Sequence, residues 1–211
     1  MNDITGQSSL LNAIGLSLLG KLYSKAQCQE YLSALINDVN WGDDFHIICG
    51  RRFNIPRLQA WIADPGIRYS YSNNLLKTQA WIEPLLSIKQ DMEAKTKQKF
   101  NAVLLTYYRT GLDHVTWHAD DEEELGDSPV IASLSLGEKR QFQFRHKKDS
   151  ITDSLTLEDG DLIVMHPNFQ QQWQHCVPVE KYIEKPRINL TFRQVVAKPT
   201  AASIVQSKAS F

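Results

Sequence analysis

The sequence predicts an α+β fold that is mainly β, a β-sandwich or jelly roll with supporting helices toward the N-terminus. Three observations carry this reading. Apolar residues recur at helical spacing only before residue 100. From Phe100 onward they alternate, or run in short blocks, between turn signals. No internal repeat or low-complexity segment interrupts 211 residues, a length that supports one domain with a real core. Helices first and many strands afterwards is the order of a sheet fold backed by helices.

Residues 1–21 read as an N-terminal extension. The apolar stretch Leu10 to Leu19 is broken by Asn12 and Gly15 and is too short to span a bilayer. Met1-Asn2-Asp3-Ile4 lacks the basic start of a signal peptide. A helix is expected after Ser24, where Ser24 and Gln27 have capping-box spacing. Cys28, Tyr31, Leu32, Leu35 and Ile36 give it one apolar stripe. A second helix is expected from Pro84 through Met92 toward Lys97, with Lys89, Lys95, Lys97 and Lys99 on a solvated face.

Strands are expected at Val103–Tyr108 before the Thr110-Gly111 turn, and at Val130–Leu136 after Gly126-Asp127-Ser128-Pro129. Gln141–Phe144 alternates, Asp159-Gly160 marks a turn, and Leu162–Met165 is a buried run. Trp173–Val179 and Arg187–Val195 complete the set. The expected domain therefore runs over 22–196, and the small, polar segment 197–211 reads as a frayed tail.

Lys and Arg number 23 against 24 Asp and Glu, a net charge of −1. Bulk charge predicts neither a polyanion partner nor a membrane surface, so any nucleic-acid contact must come from a local basic patch. Cys28, Cys49 and Cys176 are scattered and form no Cys-x-x-Cys, which argues against a disulfide framework or zinc knuckle and for a reducing compartment. Cys176 follows His175 directly, so on a strand it points to the opposite face and reads as a buried thiol.

The chemistry concentrates in His118-Ala119-Asp120, a distant His175, and Arg187 and Arg193. Two imidazoles and one carboxylate on one face of a metal leave neighbouring positions open, which suits non-haem Fe(II) for oxygen chemistry. A guanidinium near such a metal can hold a dicarboxylic co-substrate through a forked ion pair. His-x-Asp alone is a weak signal. It gains weight from the segment 187–193. Arg187, Asn189, Thr191 and Arg193 are all polar, and Ile188, Leu190 and Phe192 between them are all apolar. One face belongs in a core; the other faces either solvent or a polar cavity. Beside the metal set the cavity reading is preferred. Of the acidic run Asp120–Glu124, most reads as a solvated loop, with Asp121 and Glu122 placed to orient ligands or read a substrate's donor groups.

At these residues the chain resembles the AlkB-type Fe(II)/2-oxoglutarate nucleic-acid demethylases, nearest to the AlkB homologue 2 branch that repairs duplex DNA. The resemblance covers roughly 22–195. It rests on Ile47-Ile48-Cys49-Gly50, Pro56-Arg57, Tyr69-Ser70-Tyr71, His118-Ala119-Asp120-Asp121-Glu122, Ser133-Leu134-Ser135, Phe144-Arg145-His146-Lys147 and Pro186 to Arg193. It implies a double-stranded β-helix that uses Fe(II), 2-oxoglutarate and O₂. His118, Asp120 and His175 would hold iron. Arg187, helped by Tyr108, would pair with the far carboxylate of 2-oxoglutarate, and Arg193 and Thr191 would fix its metal-binding end. Asn189 lies on the same face, and Thr106 stands where the family has Asn, implying weaker co-substrate binding.

For the substrate, the resemblance implies that Tyr69 and Tyr71 share a strand face and that Tyr71 and His118 sandwich an extruded base. Asp121, with Glu122 beside it, would approach the base's exocyclic amine. Ile48-Cys49-Gly50 would wedge into the duplex, with Cys49 in place of a larger aromatic and so a weaker duplex preference. Arg51, Arg52, Arg57, Arg145, Lys147 and Lys148 would face phosphates. The implied reaction is oxidative dealkylation of 1-methyladenine and 3-methylcytosine in DNA, releasing formaldehyde, succinate and CO₂. The alternatives are a dioxygenase of the same fold acting on RNA or protein, and a non-catalytic reader of modified bases. A monomer is expected, inside the cell: cytoplasmic if bacterial, nuclear if eukaryotic.

Overall fold

The computed structural model describes residues 4–42, 45–48, 51–67, 70–71, 74–75 and 77–196. Cys49, Gly50, Tyr69 and the tail 197–211 lie outside the described residues. In chain order the elements are α1 (Ile4–Ala13), β1 (Leu16–Lys21), α2 (Lys25–Asp38), β2 (Phe45–Ile48), β3 (Arg51–Asn54), β4 (Leu58–Ala63), β5 (Ser70–Tyr71), β6 (Asn74–Leu75) and β7 (Thr78–Gln79). Then follow α3 (Glu83–Thr96), β8 (Ala102–Tyr108), β9 (Val115–His118), β10 (Ile131–Gly137), β11 (Arg140–His146), β12 (Thr152–Leu157), β13 (Asp161–Met165), α4 (Pro167–Gln172), β14 (Trp173–Val177) and β15 (Arg187–Arg193).

Two sheets form a jelly roll. The larger runs β1-β13-β10-β15-β8-β4-β7, and the smaller runs β12-β11-β14-β9. β2 pairs with β3 and β5 with β6 as separate two-stranded ribbons.

The predicted helices form for the predicted reasons. Ser24 caps α2, its hydroxyl accepting from the Gln27 N–H while the Gln27 side chain accepts from the Ser24 N–H. Pro84 occupies the first turn of α3, where its missing N–H costs nothing. Cys28 and Leu35 of α2 and Leu85, Ile88 and Met92 of α3 are buried against the outer face of the larger sheet. That face contributes Val103, Leu105, Leu134, Leu136, Ile188, Leu190 and Phe192. Each such side chain stabilises the fold by roughly 1.5–3 kcal/mol on burial. A second apolar cluster lies between the sheets, where Phe142, Phe144 and Trp173 of the smaller meet Leu104, Ile131 and Ile163 of the larger.

The expected boundary at residue 22 moves. Leu16–Lys21, read as part of an extension, is an antiparallel edge strand on β13. Its apolar pattern is obscured by a register shift between Leu18 and Lys21, where Gly20 has φ +76°. β4 also carries no alternation in sequence, because five of its six residues are buried.

The even residues of β15 enter the helix-side core. The odd ones face the space between the sheets. β15 is therefore covered on both faces, and its polar side chains border an internal cavity rather than solvent.

Candidate active site

β14 and β9 pair so that His175 lies opposite His118. The two imidazoles face inward with ring centroids 4.2 Å apart. β9 ends at His118, so the following loop, not a continued strand, delivers Asp120 to the same spot, 1 % exposed. Donor atoms of His118, Asp120 and His175 lie within 4.8 Å of one another, the one such group of His, Cys, Asp and Glu among the described residues.

Each ligand candidate is held from behind. His118 Nδ1 lies 2.8 Å from the Thr116 carbonyl, which fixes the proton on Nδ1 and turns the Nε2 lone pair inward. The Asp120 N–H donates to Gln170 Oε1 at 2.9 Å, tying the loop to α4. Arg193 Nη2 lies 3.0 Å from Asp120 Oδ1, both side chains 2 % exposed.

Burial favours neutral imidazoles. It pushes His118 down against the pull of Asp120, and with the neighbouring His118 it pushes His175 down to about 3. Burial also works to raise the Asp120 carboxyl. Arg193, followed by the two imidazoles, outweighs it and holds Asp120 at about 2. The cluster at neutral pH is thus two neutral imidazoles and one carboxylate, the protonation state a divalent metal requires. His175 Nδ1 is buried and makes no hydrogen bond among the described residues, and its neutral ring suits a metal ligand. The residues fit Fe(II).

The cavity beneath these groups has a volume of about 50 Å³ and is partly open to solvent. β15 supplies Arg187, Asn189, Thr191 and Arg193; β8 supplies Thr106 and Tyr108; β10 supplies Ser133. The ladder register explains the grouping. Asn189 lies opposite Thr106, Arg187 opposite Tyr108, and Thr191 opposite Ser133. Side chains at paired positions share a face, so the polar residues of three strands converge.

Arg193 stands at the metal end and Arg187 at the other. Arg187 is 1 % exposed. Its Nη2 donates to Ser135 Oγ at 2.9 Å and Asn189 Oδ1 at 2.8 Å. Its Nε and Nη1 are buried and make no hydrogen bond among the described residues. Burial pushes the guanidinium down to about 10, with Tyr108 opposing. Asn189 Nδ2 passes the chain on to Thr191 Oγ1 at 2.8 Å. A buried cation with two idle donors, facing a cavity, is set up for an anion with two oxygens.

The substrate-side expectations fare differently. Arg57, expected to face phosphates, is buried at 5 % exposure and lines the cavity, donating from Nη1 to the His114 carbonyl at 3.1 Å. The cause is its place: the Pro56 carbonyl accepts from the His114 N–H, which pins this bend against the start of β9. Asp121 is exposed and pairs with Lys147 Nζ at 3.0 Å. Lys147 also donates to the Gln170 carbonyl at 2.9 Å, so it is engaged at the rim rather than projecting alone. Glu122 is half-buried beside them. Arg145 is exposed, its guanidinium carbon 4.5 Å from the Trp117 ring centroid. Ile48 and Arg51 are paired partners of β2 and β3, on either side of Cys49 and Gly50. Tyr71 lies in β5.

Sequence reading missed Gln170, Ser135 and Gln59 as parts of this site. Ser133 and Ser135 carried a signal, polar residues alternating with Ala132, Leu134 and Leu136 as on β15. Gln170 carried none, because its role arises only where α4 meets the loop after β9.

Residues 15–193 match the 2OG-Fe(II) oxygenase superfamily. The chain belongs to that superfamily. Over 187 residues this oxygenase is 36 % identical to human "DNA oxidative demethylase ALKBH2", covering 83 % of this chain and 71 % of that protein. It is 36 % identical over 181 residues to mouse "Alpha-ketoglutarate-dependent dioxygenase alkB homolog 3", covering 81 % of this chain and 63 % of the relative. Two solved structures share the fold. One is described as "The structure of OsALKBH1" (TM-score 0.59, 20 % identity, 85 % of this chain and 98 % of that one). The other is a Pseudomonas putida prolyl-4-hydroxylase (TM-score 0.58, 15 % identity, 90 % and 97 %). The jelly roll and the AlkB-type resemblance read from sequence are borne out. Membership implies Fe(II), 2-oxoglutarate and O₂ as the reaction's requirements.

Proposed function

We propose that this oxygenase is a DNA oxidative demethylase that removes N-methyl groups from 1-methyladenine and 3-methylcytosine. The observation that carries the reading is one cavity with a two-His, one-carboxylate cluster at one end and the half-unpartnered, buried Arg187 at the other. The relatives named as DNA oxidative demethylases support the substrate class.

Bound Fe(II) supplies the oxidation, coupling the decarboxylation of 2-oxoglutarate by O₂ to hydroxylation of the methyl group. His118, Asp120 and His175 hold the metal, and Arg193 keeps Asp120 ionised for that task. Arg187 binds the far carboxylate through its two idle donors, with Tyr108 against it; Asn189 orients Arg187 by accepting from Nη2. Thr191 and Arg193 flank the metal-binding end, and Thr106 lines the wall between. With these roles 2-oxoglutarate would be held by residues of β15, and the His118 edge, 23 % exposed, would be left for the nucleic acid.

On the substrate side, Tyr71 and His118 stack the extruded base, with Tyr69 as a further aromatic contact to it. Asp121 and Glu122 form an acidic rim that favours the positive charge methylation confers on these bases. Lys147 moderates that charge by pairing with Asp121. Ile48, Cys49, Gly50 and Arg51 contact the DNA, Arg145 faces phosphate, and Arg57 acts inside the cavity. The hydroxymethyl base then loses formaldehyde, leaving the repaired base, succinate and CO₂. The chain acts as a monomer within the cell, in the bacterial cytoplasm or the eukaryotic nucleus. Among the described residues no helix is long and apolar enough to cross a membrane.

Mass spectrometry of oligonucleotides, each with one methylated base, tests this with 2-oxoglutarate present and absent. The expected result is a loss of 14 mass units (~14, one CH₂) from methylated DNA only with the co-substrate. Turnover confined to methylated RNA or peptide would move the assignment to another substrate class. Binding without turnover would make the chain a reader.

A further inference from the structure

A second buried cation lies behind the Arg187 end of the cavity, across the Tyr108 ring, without lining the cavity itself. Arg140 opens β11 and is 1 % exposed. Its Nε donates to Glu180 Oε2 at 2.8 Å and its Nη1 to the Thr110 carbonyl at 3.3 Å. Its Nη2 donates to the carbonyls of Asp113 at 2.9 Å and Pro178 at 2.7 Å. The acceptors sit on two loops, 109–114 after β8 and 178–186 after β14. Glu180 Oε2 also accepts from the Gln141 N–H at 3.0 Å, which anchors the second loop to β11.

The loops are stitched at Gly111. Its N–H donates to the Ile183 carbonyl at 2.7 Å, and its carbonyl accepts from the Glu180 N–H at 2.8 Å. A Cβ at 111 would collide with the Glu180 carbonyl, so only glycine permits this approach.

Tyr108 connects this clamp to the cavity. The Arg140 guanidinium carbon lies 5.3 Å from its ring centroid, and the Arg187 carbon lies 5.2 Å from the same centroid. Two guanidiniums sharing one ring repel each other. Glu180 pairs directly with Arg140 and acts on Arg187 only as a weaker, longer-range charge, so Arg187 keeps its donors for the cavity. Tyr108 also stands opposite Arg187 across the β8–β15 ladder, so displacing Tyr108 displaces Arg187's wall.

We infer that Arg140, held by Glu180, is a positioning residue for 2-oxoglutarate: it sets Tyr108 and the two loops so that Arg187 stays aimed into the cavity. This rests on the reading of the Arg187 end as the co-substrate's pocket. Arg140 touches neither metal ligands nor cavity, so its effect falls on co-substrate binding, not on metal affinity or the chemical step.

The test compares Arg140→Gln, Glu180→Gln and Arg187→Gln with the wild type. Calorimetry measures Mn(II) binding and then 2-oxoglutarate binding to the Mn(II) form; steady-state assays with Fe(II) give KM for 2-oxoglutarate and kcat. Arg140→Gln and Glu180→Gln are expected to weaken 2-oxoglutarate about tenfold, with Mn(II) affinity unchanged and kcat within about twofold. Asp113→Asn, on the same loop but bonded to Arg140 only through its backbone, is expected to leave 2-oxoglutarate binding unchanged. A fall in kcat at unchanged KM, the mark of a merely loosened fold, overturns the inference. So does wild-type 2-oxoglutarate binding by both clamp variants while Arg187→Gln binds weakly; the pocket reading then survives alone. Wild-type binding by Arg187→Gln removes the pocket reading itself. Should Arg140→Gln fail to fold, Glu180→Gln carries the test, because Glu180 is 25 % exposed on its loop and keeps its shape as Gln.

Discussion

Replacing Arg187 with Met should weaken co-substrate binding 30-fold or more while leaving the protein folded. Met keeps most of the volume and removes the charge. Arg187 is held at about 10 against an ordinary 12.5, equivalent to about 3 kcal/mol against the charged form in the folded protein. The substitution relieves that burden. It also takes a donor from Ser135 and Asn189, and hydrogen bonds to a charged group contribute about 1.5–3 kcal/mol each, so the two losses sum to about 3–6 kcal/mol. The net effect on stability therefore runs from about zero to a loss of about 3 kcal/mol, at roughly 2–4 °C in Tm per kcal/mol for a chain of this size. Binding weakens too. Removing a buried cation from a carboxylate's partner costs about 2–5 kcal/mol, or 30-fold and more in Kd. Thermal unfolding with Mn(II), with and without 2-oxoglutarate, reads both effects. At a hundred times the wild-type Kd the ligand stabilises wild type by about 2.7 kcal/mol and a variant weakened 30-fold by only about 0.9 kcal/mol, so the wild-type melting point should climb much further. A variant whose melting point climbs with 2-oxoglutarate as far as the wild type's would refute the account of Arg187 as the co-substrate's cation.

Three further outcomes follow from the same geometry. His118→Ala should lose both metal retention and formaldehyde release; full release by that variant would defeat the metal assignment. Gln170→Leu should weaken Mn(II) binding about tenfold by freeing the Asp120 backbone, with calorimetry as the check and wild-type affinity as the disproof. Burial works to raise the Asp113 carboxyl, but Arg109, forked onto it at 2.7 and 2.9 Å, holds it below its ordinary value. A carboxyl depressed in the folded state adds stability above its unfolded pKa of about 3.9 and loses it as pH falls through the folded value. Asp113→Asn should therefore melt below wild type at pH 7 by about 1 kcal/mol, discounted for the half-exposed Arg109, and the gap should close below about pH 4. A gap that persists unchanged at pH 3 would contradict it.

The helices at Ser24 and Pro84 were legible because caps and apolar stripes are local signals, decided within a few residues of chain. The strands around residues 103, 131, 141, 162, 173 and 187 were legible for the same reason, with ends that shift by a residue or two. β1, β4 and β12 were not. β1 carries a bulge, β4 is buried on nearly all sides, and β12 is an edge strand with only Leu155 and Leu157 buried.

Within the site, residue type and alternation determined the donors: a His-x-Asp, a second His on a strand, and a strand with polar residues at every second place. Chemistry of that kind is written in single side chains and survives without coordinates. What only tertiary structure decided is where each polar face looks. Alternation says that Arg187, Asn189, Thr191 and Arg193 share a side, but not that β8, β10 and the smaller sheet roof it over. It likewise could not say that Arg57 turns inward, that Asp121 meets Lys147, or that Gln170 and Arg140 brace the two ends of the cavity. Those contacts join residues 26 to 50 positions apart and more, so they depend on how strands stack across space, a long-range packing outcome that no short stretch of chain encodes.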